Sequence, residues 1–295
     1  MDMTLNTHPL ATATSWLFVP ASRPERIAKA LASGADAVIV DLEDAVAPQD
    51  KEAARSALLG AFGQLQAAGR ARVLVRINAH GTPWFDGDLQ ALAQLVAQGG
   101  AGVVLPKAET AEAMALLLPA LGTQGVLVPI IESVAGLHAI DAIARAPRVL
   151  RLAFGHLDFQ VDAGMACAED ESELLPVRLA VVLAARRAQL PAPIDGVTVN
   201  TQDSAVVQAD AARALRGGFG GKLSIHPMQV APINAAFAPT DAQLQRAQQV
   251  LAAAEAAQGG VCVVDGRMVD APVIALAHKT LQRHQQAQRR LQSAS

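Results

Sequence analysis

The sequence has few of the residues that mark disulfide-stabilised, zinc-binding or nucleic-acid-binding proteins. Its two cysteines, Cys167 and Cys262, are far apart, and neither has a His or Cys partner at metal-ligand spacing. Aromatic residues make up 3% of the chain, and the 24 basic and 27 acidic residues are mixed along it, giving a net charge of −3. We therefore expect no disulfide framework, no zinc site and no nucleic-acid partner.

Long hydrophobic runs are also missing. The apolar runs, such as residues 37–40 and Val126–Ile131, are far shorter than the roughly 20 residues that cross a bilayer. The first 14 residues contain Asp2 but no Lys or Arg, and they lack the apolar core of a signal peptide. We expect a cytosolic protein without a membrane partner. Its 52% hydrophobic content is enough to build one large domain or two small ones.

Eight short apolar runs alternate with segments of helical periodicity. The runs lie at residues 16–19, 37–40, 73–77, 102–105, 126–131, 150–154, 194–199 and 222–225. Leu89, Leu92 and Val96 illustrate the helical spacing between them. Strands that are apolar at consecutive positions are typical of a parallel sheet covered by helices. Eight such units predict a (β/α)8 TIM barrel over residues 15–238. The alternative, an open doubly wound sheet, would need a glycine-rich turn after the first strand, where the chain has Val19-Pro20-Ala21-Ser22-Arg23.

The pattern changes after the last predicted strand. Pro239-Thr240-Asp241 opens a predicted helix, which Gly259-Gly260 ends. An extended segment at 261–264 and a last helix from Ala271 follow. Because a closed barrel has no ninth position to fill, we expect residues 239–295 to form a C-terminal helical extension. This extension would pack on the barrel exterior or on a neighbouring subunit.

Polar residues follow nearly every predicted strand. In TIM barrels the carboxyl ends of the strands form the active-site mouth. Helix capping explains some of these residues, and Ser133, Asp203 and Asp241 are interpreted as N-caps. The remaining ones are Asp41-Leu42-Glu43-Asp44, Arg76-Ile77-Asn78, Lys107, Glu132, His156-Leu157-Asp158 and His226. Since several acids and an arginine converge on one mouth, we expect the functional site there.

The strand-end acids Glu132 and Asp158 are candidate metal ligands. They end neighbouring strands, and both offer carboxylate oxygen atoms as ligands. Hard oxygen ligands favour Mg²⁺, with Mn²⁺ as a substitute, over zinc. The planar donor fork of Arg76 suits a substrate carboxylate, and a salt bridge within the barrel rim is its alternative role. The acidic segment 41–44 either approaches the metal or pairs with Arg76 or Lys107.

Five motifs occur in order along the chain. They are Phe18-Val19-Pro20-Ala21-Ser22-Arg23-Pro24-Glu25-Arg26, Asp41-Leu42-Glu43-Asp44-Ala45-Val46, Val75-Arg76-Ile77-Asn78 followed by Thr82-Pro83-Trp84, Leu105-Pro106-Lys107-Ala108-Glu109, and Ile225-His226-Pro227. Together they resemble the citrate lyase beta-subunit-like proteins of the HpcH/HpaI aldolase superfamily, over residues 16–277. The resemblance implies a Mg²⁺-dependent barrel that makes or breaks the carbon–carbon bond between an acyl-CoA and a small 2-keto acid.

The resemblance also implies roles for individual residues. In that family the acids matching Glu132 and Asp158 hold the metal, and the arginine matching Arg76 binds the substrate carbonyl and carboxylate. The acid in Met268-Val269-Asp270-Ala271-Pro272 resembles one that relatives supply from a neighbouring subunit. Asp270 is therefore a candidate acid–base residue acting in trans within a homotrimer, and an N-cap of the last helix is its alternative role.

Arg23, Arg26 and Lys107 are expected to contact the phosphate or pantetheine groups of CoA at the rim, with simple solvation as the alternative for each. Two positions depart from the family pattern. Leu157 stands where relatives often carry an acid directly before the metal-binding Asp, and Asn200 stands where similar proteins often have an acid. Neither departure removes a proposed metal ligand.

The preferred substrate class is a 3-hydroxy-3-carboxyacyl-CoA such as citramalyl-CoA or malyl-CoA, cleaved to acetyl-CoA and a 2-keto acid. Alternatives within enzymes are the citryl-thioester subunit of a citrate lyase complex, an aldolase that acts on pyruvate and an aldehyde without CoA, and a thioesterase that follows the carbon–carbon step. Outside enzymes, the chain could be a metal-binding scaffold. The presence of Glu132, Asp158 and Arg76 together argues against a scaffold, since a non-catalytic barrel needs no metal at its mouth.

Overall fold

The computed structural model describes residues 7–257 and 262–294. The chain forms two compact units that divide between Ile233 and Asn234. Among the described residues no helix is long and apolar enough to cross a membrane. The predicted helix end at Gly259-Gly260 lies outside the described residues.

The first unit is a closed barrel of eight parallel strands, which confirms the TIM-barrel prediction. The strands are β1 (Ser15–Pro20), β2 (Ala37–Asp41), β3 (Val73–Arg76), β4 (Gly102–Leu105), β5 (Val126–Ile131), β6 (Ala153–Phe154), β7 (Ile194–Asp195) and β8 (Gly221–Ser224). Each strand pairs with the next along the chain, and β1 closes the barrel on β8 with Ser15 opposite Lys222.

Helices connect the strands and surround the barrel. They are α1 (Arg26–Ala32), α2 (Lys51–Phe62), α3 (Ala67–Arg70), α4 (Phe85–Ala97), α5 (Ala111–Ala115), α6 (Leu118–Leu121), α7 (Val134–His138), α8 (Ile140–Ala144), α9 (His156–Asp162), α10 (Leu175–Arg187), α11 (Ser204–Arg216) and α12 (Val230–Phe237). Short 3-10 helices lie at Pro9–Thr12, Pro48–Asp50, Ser172–Leu174 and Pro227–Gln229.

Strands β6 and β7 are shorter than predicted. The apolar run at 150–154 pairs as a strand only at Ala153 and Phe154, and the run at 194–199 only at Ile194 and Asp195. Side chains occupy backbone acceptors on both sides of β7, since Arg151 donates to the carbonyl of Pro193 and Lys222 donates to the carbonyl of Gly196 at 2.6 Å.

The amino-terminal end of the barrel is closed by the 3-10 helix Pro9–Thr12. Its Leu10 belongs to the same buried cluster as Trp16 in β1. The fully buried Arg151 ties this cover down, because its guanidinium donates to the carbonyls of Ala13 and Pro193. The amino-terminal end of the barrel is therefore filled by packed side chains, and its buried arginine is hydrogen-bonded. A functional site is expected at the opposite, carboxyl-terminal end.

The N-cap predictions are confirmed for Ser133 and Asp203 and wrong for Asp241. Ser133 Oγ accepts from the backbone of Gly136 at 3.0 Å, and Asp203 Oδ1 accepts from Ala205 at 2.8 Å. In the third case Thr240 is the cap, and it forms a capping box with Gln243. Asp241 is then the first helical residue, where its charge still favours the helix dipole.

The second unit contains two helices, α13 (Asp241–Ala256) and α14 (Ala271–Ala294), and a hairpin of β9 (Cys262–Val264) and β10 (Arg267–Val269). Strand β10 was not predicted. Its signal is the pair Asp265-Gly266, whose φ angles of 50° and 70° form the two-residue turn that joins antiparallel strands. A small core of Ala247, Val250, Val269 and Ala277 holds this unit together.

Candidate active site

A cavity of about 360 Å³ opens at the carboxyl ends of the barrel strands. Its lining combines acidic, basic and apolar side chains. The lining residues are Phe18, Pro20, Asp41, Asp44, Ala45, Arg76, Ile130, Glu132, Phe154, Gly155, His156, Leu157, Asp158, Val197, Leu223 and Ile225. The structure thus brings together Arg76, Glu132 and Asp158, as the strand-end argument predicted for the mouth of the barrel.

Arg76 ends β3 and is held by a bidentate pair with Asp41 at the end of β2. Its Nε donates to Asp41 Oδ1 at 2.7 Å and its Nη2 to Asp41 Oδ2 at 2.6 Å. The two carboxylate oxygens also accept from the backbone amides of Glu43 and Ala45. Asp41 is therefore saturated by four donors, and it fixes the plane of the guanidinium.

The outer edge of Arg76 faces two more acids. Its Nη1 lies 3.0 Å from Glu43 Oε2 and 3.3 Å from Asp44 Oδ2, and its guanidinium stacks over Phe18 at 4.8 Å. The rim salt bridge that was the alternative role for Arg76 is thus present. Nε, Nη1 and Nη2 of Arg76 thus all face carboxylates, and a ligand would reach the Nη1 edge by displacing the exposed Asp44.

The side chain of the buried Glu43 is only partly paired by its surroundings. Its Oε2 forms the ion pair with Arg76 but has no hydrogen-bond partner of good geometry among the described residues. Burial raises the pKa of Glu43 to about 7, against the opposing charge of Arg76.

Two buried side chains, Lys51 and Asn78, hold the backbone of the acidic segment 41–44 in place. The ammonium of the buried Lys51 donates to the carbonyls of Leu42 and Glu43 at 2.8 and 2.9 Å and lies over the ring of Trp84. Asn78 donates to the carbonyl of Leu42 as well. These contacts explain why Trp84 and Asn78 belong to motifs near the site although neither lines the cavity.

Glu132, at the end of β5, is 4% exposed and faces the cavity. Its Oε1 accepts from the backbone amide of Lys107 at 2.6 Å. Lys107 has a φ of 47°, a left-handed conformation that costs free energy and turns its amide toward this oxygen. Burial raises the pKa of Glu132 to about 8, and the charges of Glu43 and Asp158 add to this effect.

Asp158 lies in the first turn of α9 and is exposed to the cavity mouth. Its charge acts on Glu132, so the two carboxylates are electrostatic neighbours. Gly155 lies between them in the chain and packs against Glu132. A Cβ at Gly155 would collide with Glu132 Oε2 and lie 2.6 Å from Glu132 Cβ. Only glycine therefore allows α9 to begin so close to Glu132.

The donor set at the mouth fits magnesium. Within the described part of the chain, no group of three or more His, Cys, Asp or Glu side chains could enclose an ion. Magnesium does not need such a cage, because it commonly binds one or two carboxylates and keeps water or substrate in its other positions. A cation between Glu132 and Asp158 would also offset the burial and, to a smaller extent, the repulsion that raise the pKa of Glu132.

An ion-pair network beside the mouth was missed by the sequence reasoning. His156 Nε2 lies 3.1 Å from Glu171 Oε1, and Glu171 Oε2 accepts from Arg178 at 2.5 Å and from Arg213 at 2.9 Å. Burial opposes ionisation of Glu171, but the hydrogen bonds and charges of His156 and Arg178 lower its pKa to about 2. No spacing signal distinguishes Glu171 from its acidic neighbours in the sequence.

Several predicted site residues lie elsewhere. Arg23 forms an exposed ion pair with Glu25, and Arg26 is exposed in α1. The Lys107 side chain is exposed next to β4. Asp270 belongs to the second unit, where its Oδ1 accepts from Val273 at 3.3 Å as an N-cap of α14. This is the alternative role expected for Asp270, and its action in trans stays a prediction.

The two departures from the family pattern have different surroundings. Leu157 lines the cavity beside Asp158, so its side chain adds apolar surface where relatives were expected to place a charge. Asn200 caps a turn instead, because its Oδ1 accepts from the amides of Gln202 and Asp203.

Comparison with known proteins assigns the family. The model of the HpcH/HpaI aldolase/citrate lyase family matches residues 14–227. The chain belongs to this family. This confirms both the resemblance inferred from the five motifs and the enzyme class, a carbon–carbon lyase of the aldolase type.

Individual relatives support this family assignment. The chain is 37% identical to a citrate lyase subunit beta-like protein of Deinococcus radiodurans over 94% of this chain and 99% of that protein. The chain is 33% identical to a (3S)-malyl-CoA thioesterase of Cereibacter sphaeroides, and this match covers 93% of this chain and 94% of that protein. It is 34% identical to the L-malyl-CoA/beta-methylmalyl-CoA lyase of the same species, covering 86% and 89%.

A solved structure of CitE from Mycobacterium tuberculosis is similar over the whole fold. It has a TM-score of 0.80 and 35% sequence identity, and the match covers 93% of this chain and 99% of that one. That protein was crystallised with magnesium, acetoacetate and coenzyme A. The expected magnesium cofactor is therefore confirmed for this family, and the bound coenzyme A agrees with the expected class of acyl-CoA ligand.

Proposed function

We propose that the chain is a magnesium-dependent lyase that cleaves or forms a 3-hydroxy-3-carboxyacyl-CoA such as citramalyl-CoA or malyl-CoA. The products of cleavage would be acetyl-CoA and a 2-keto acid. The observation that carries the proposal is the meeting of Glu132, Asp158 and Arg76 in one cavity, in a chain similar to a CitE protein that binds magnesium and coenzyme A.

Glu132 and Asp158 would hold the metal, with the substrate and water as its other ligands. Bound Mg²⁺ supplies a fixed positive charge that stabilises negative charge on the substrate oxygens as the carbon–carbon bond breaks. Arg76 would support the same oxygens through its Nη1 edge, where the substrate would take the place of the exposed Asp44. Because Asp41 holds the guanidinium in one plane, little reorganisation is needed when charge develops there.

Cleavage requires that a base take the proton of the substrate hydroxyl, whose oxygen becomes the carbonyl of the keto acid, while the electron pair of the broken carbon–carbon bond passes to the acetyl-CoA enolate. A proton must then return to the enolate carbon. Phe18, Val197 and Leu223 line the cavity with apolar surface, which would limit the access of water to this carbon.

Asp270 is our candidate for this donor in cleavage, and for the base in the condensation direction. A neighbouring copy would supply it in a homotrimer. Its exposed carboxylate at the start of α14 is consistent with such a role. Arg23, Arg26 and Lys107 are exposed basic side chains that would bind the phosphates of CoA.

Thioester hydrolysis is the second candidate function, favoured by the similarity to a malyl-CoA thioesterase. A product assay separates the two. Citramalyl-CoA, malyl-CoA and citryl-CoA are incubated with the enzyme and Mg²⁺, and acetyl-CoA, free CoA and keto acid are measured. A lyase gives equal amounts of acetyl-CoA and keto acid, whereas a thioesterase gives free CoA and the intact hydroxy acid. Cleavage only of a carrier-protein thioester would instead indicate the subunit of a citrate lyase complex.

A further inference from the structure

The first turn of α9 carries Asp158 but has little to hold it in place locally. The helix is 7 residues long, and its N-cap is Gly155, which has no side chain with which to cap it. Asp158 itself is exposed. Contacts from outside the helix must therefore set the position of the Asp158 carboxylate relative to Glu132.

Two glycines, which have no side chain, allow the first turn of α9 to pack closely against its neighbours on both sides. Gly155 packs on the side chain of Glu132, where any Cβ would collide. On the other side, His156 packs on the backbone of Gly196 after β7, where a Cβ would collide with Nδ1 and lie 2.9 Å from Cε1. The imidazole is therefore enclosed, and its Nε2 is directed at Glu171.

Glu171 is itself firmly anchored. Arg178 from α10 and Arg213 from α11 both donate to its Oε2, and Arg213 also donates to the carbonyl of Asp170. The backbone of Glu171 has a φ of 52°, a left-handed conformation that only a well-packed surrounding maintains. Its second oxygen, Oε1, is thus presented to His156 from a fixed point.

We infer that Glu171 is a positioning residue for the metal site: it fixes His156, and through the first turn of α9 it holds Asp158 in place against Glu132. The inference rests on the proposed function, since it assumes that these two acids bind Mg²⁺. Groups that orient metal ligands from outside the coordination sphere commonly change metal affinity by about 10–100-fold when they are removed.

A purely structural role for Glu171 is the rival explanation. The same network joins Arg178 to Asp195 at the end of β7 and Arg213 to Asp210. If Glu171 only stabilised these elements, its loss would lower the melting temperature without changing the metal affinity of the folded protein. Metal affinity measured well below the melting temperature is therefore the decisive readout.

The test is calorimetric titration of the metal-free full-length protein with Mg²⁺, and with Mn²⁺ as a second probe. The variants are Glu171→Gln, which keeps the size of the side chain but loses its charge, and His156→Gln. Glu173→Gln is the matched control, because Glu173 is an exposed acid two residues further on whose only side-chain contact among the described residues is with the amide of Ala168.

We expect Glu171→Gln and His156→Gln each to weaken metal binding by about 10-fold or more, and Glu173→Gln to bind as the wild type does. The double variant Glu171→Gln/His156→Gln should bind metal no less tightly than whichever single variant has the lower metal affinity, because both substitutions break the same contact. If Glu171→Gln does not fold, His156→Gln carries the test. A folded Glu171→Gln or His156→Gln variant with wild-type metal affinity would overturn the inference.

The same titration separates this inference from the proposed function. Glu132→Gln is included, and it should abolish measurable binding. If the wild-type protein bound no metal, or if Glu132→Gln bound it equally well, the proposed metal site would be wrong. If Glu132→Gln lost binding while Glu171→Gln kept it, only the role of Glu171 would be wrong.

Discussion

Asp41 and Arg76 form the most completely satisfied pair at the barrel mouth, since both carboxylate oxygens receive one donor from the guanidinium and one from the backbone. The pair joins the ends of β2 and β3, whose register places Asp41 directly opposite Arg76. Arg76 is therefore part of the rim structure as well as a candidate substrate ligand. A change at this position should affect both stability and turnover.

Arg76→Lys should separate the geometry of the guanidinium from its charge. Lysine keeps the positive charge but cannot form the bidentate pair with Asp41 or keep a second edge for substrate. We expect kcat/KM to fall by about 100-fold or more and the free energy of unfolding to fall by roughly 1–3 kcal/mol. Steady-state kinetics and denaturant unfolding measure the two effects.

Arg187→Lys is the matched control for that variant, because Arg187 forms an exposed ion pair with Asp141. Exposed pairs contribute little, so this control should change neither quantity measurably. Normal kinetics in Arg76→Lys together with lost stability would mean that Arg76 serves only the rim.

The raised pKa values of Glu132 and Glu43, about 8 and about 7, predict how the stability of the metal-free protein depends on pH. Each carboxyl group binds a proton in the folded state at pH values where it is already ionised in the unfolded chain. The folded state therefore holds more protons between about pH 4.5 and 8, and stability falls as the pH rises through this range.

The measurement is urea unfolding of the metal-free protein at intervals from pH 5 to pH 8.5. Glu132→Gln should flatten the profile, and the wild type should lose stability on the order of a few kcal/mol across the range. Glu112→Gln, at an exposed acid in α5, should leave the profile unchanged. A wild-type profile that rises toward pH 8 would show that Glu132 is ionised in the folded metal-free state.

Gly155→Ala should damage the metal site without changing any ligand. The added Cβ would collide with Glu132, so either the acid or the start of α9 must move. We expect about 1–3 kcal/mol of lost stability and weaker Mg²⁺ binding. Gly60→Ala in α2 is the control, since nothing lies within 4 Å of a Cβ there. That change should stabilise the protein slightly. Unchanged Mg²⁺ affinity in Gly155→Ala would refute the close packing of α9 on Glu132.

Asp270 provides a test of assembly. If a neighbouring subunit supplies it, the inactive variants Asp270→Asn and Glu132→Gln should restore activity when they are mixed and allowed to exchange subunits. Some sites in the mixed oligomer then receive both intact groups. Subunit exchange is followed independently by native mass spectrometry. Exchange without any recovered activity would show that Asp270 acts in its own chain or serves only as the cap of α14.

The barrel and the acids at its mouth could be predicted from the sequence because both follow from one rule. Strands buried on both faces are apolar throughout, so the first charged residue after each run marks the carboxyl end of a strand. Glu132 and Asp158 were identified in this way. The rule identifies a position along the chain, and it needs no knowledge of long-range contacts.

Other features could not be predicted by that rule. The buried face of α4 contains Asp88, Ala91 and Leu95 rather than Leu89 and Val96. Asp88 is buried because its carboxylate accepts hydrogen bonds from Asn78 and Arg55. The contact between His156 and Glu171 joins the first residue of α9 to the loop that follows this helix, and the acids around Glu171 give no hint of which one turns inward. Such features depend on tertiary contacts that leave no local pattern.

The central claim is metal-dependent carbon–carbon cleavage at Glu132 and Asp158, and keto-acid release from citramalyl-CoA and malyl-CoA tests it most directly. The wild-type enzyme is assayed after treatment with EDTA and again after Mg²⁺ is restored, beside Glu132→Ala. We predict no keto acid in EDTA, full recovery with Mg²⁺, and loss of activity in Glu132→Ala at Mg²⁺ concentrations that saturate the wild type. Undiminished release of keto acid in EDTA would contradict the account.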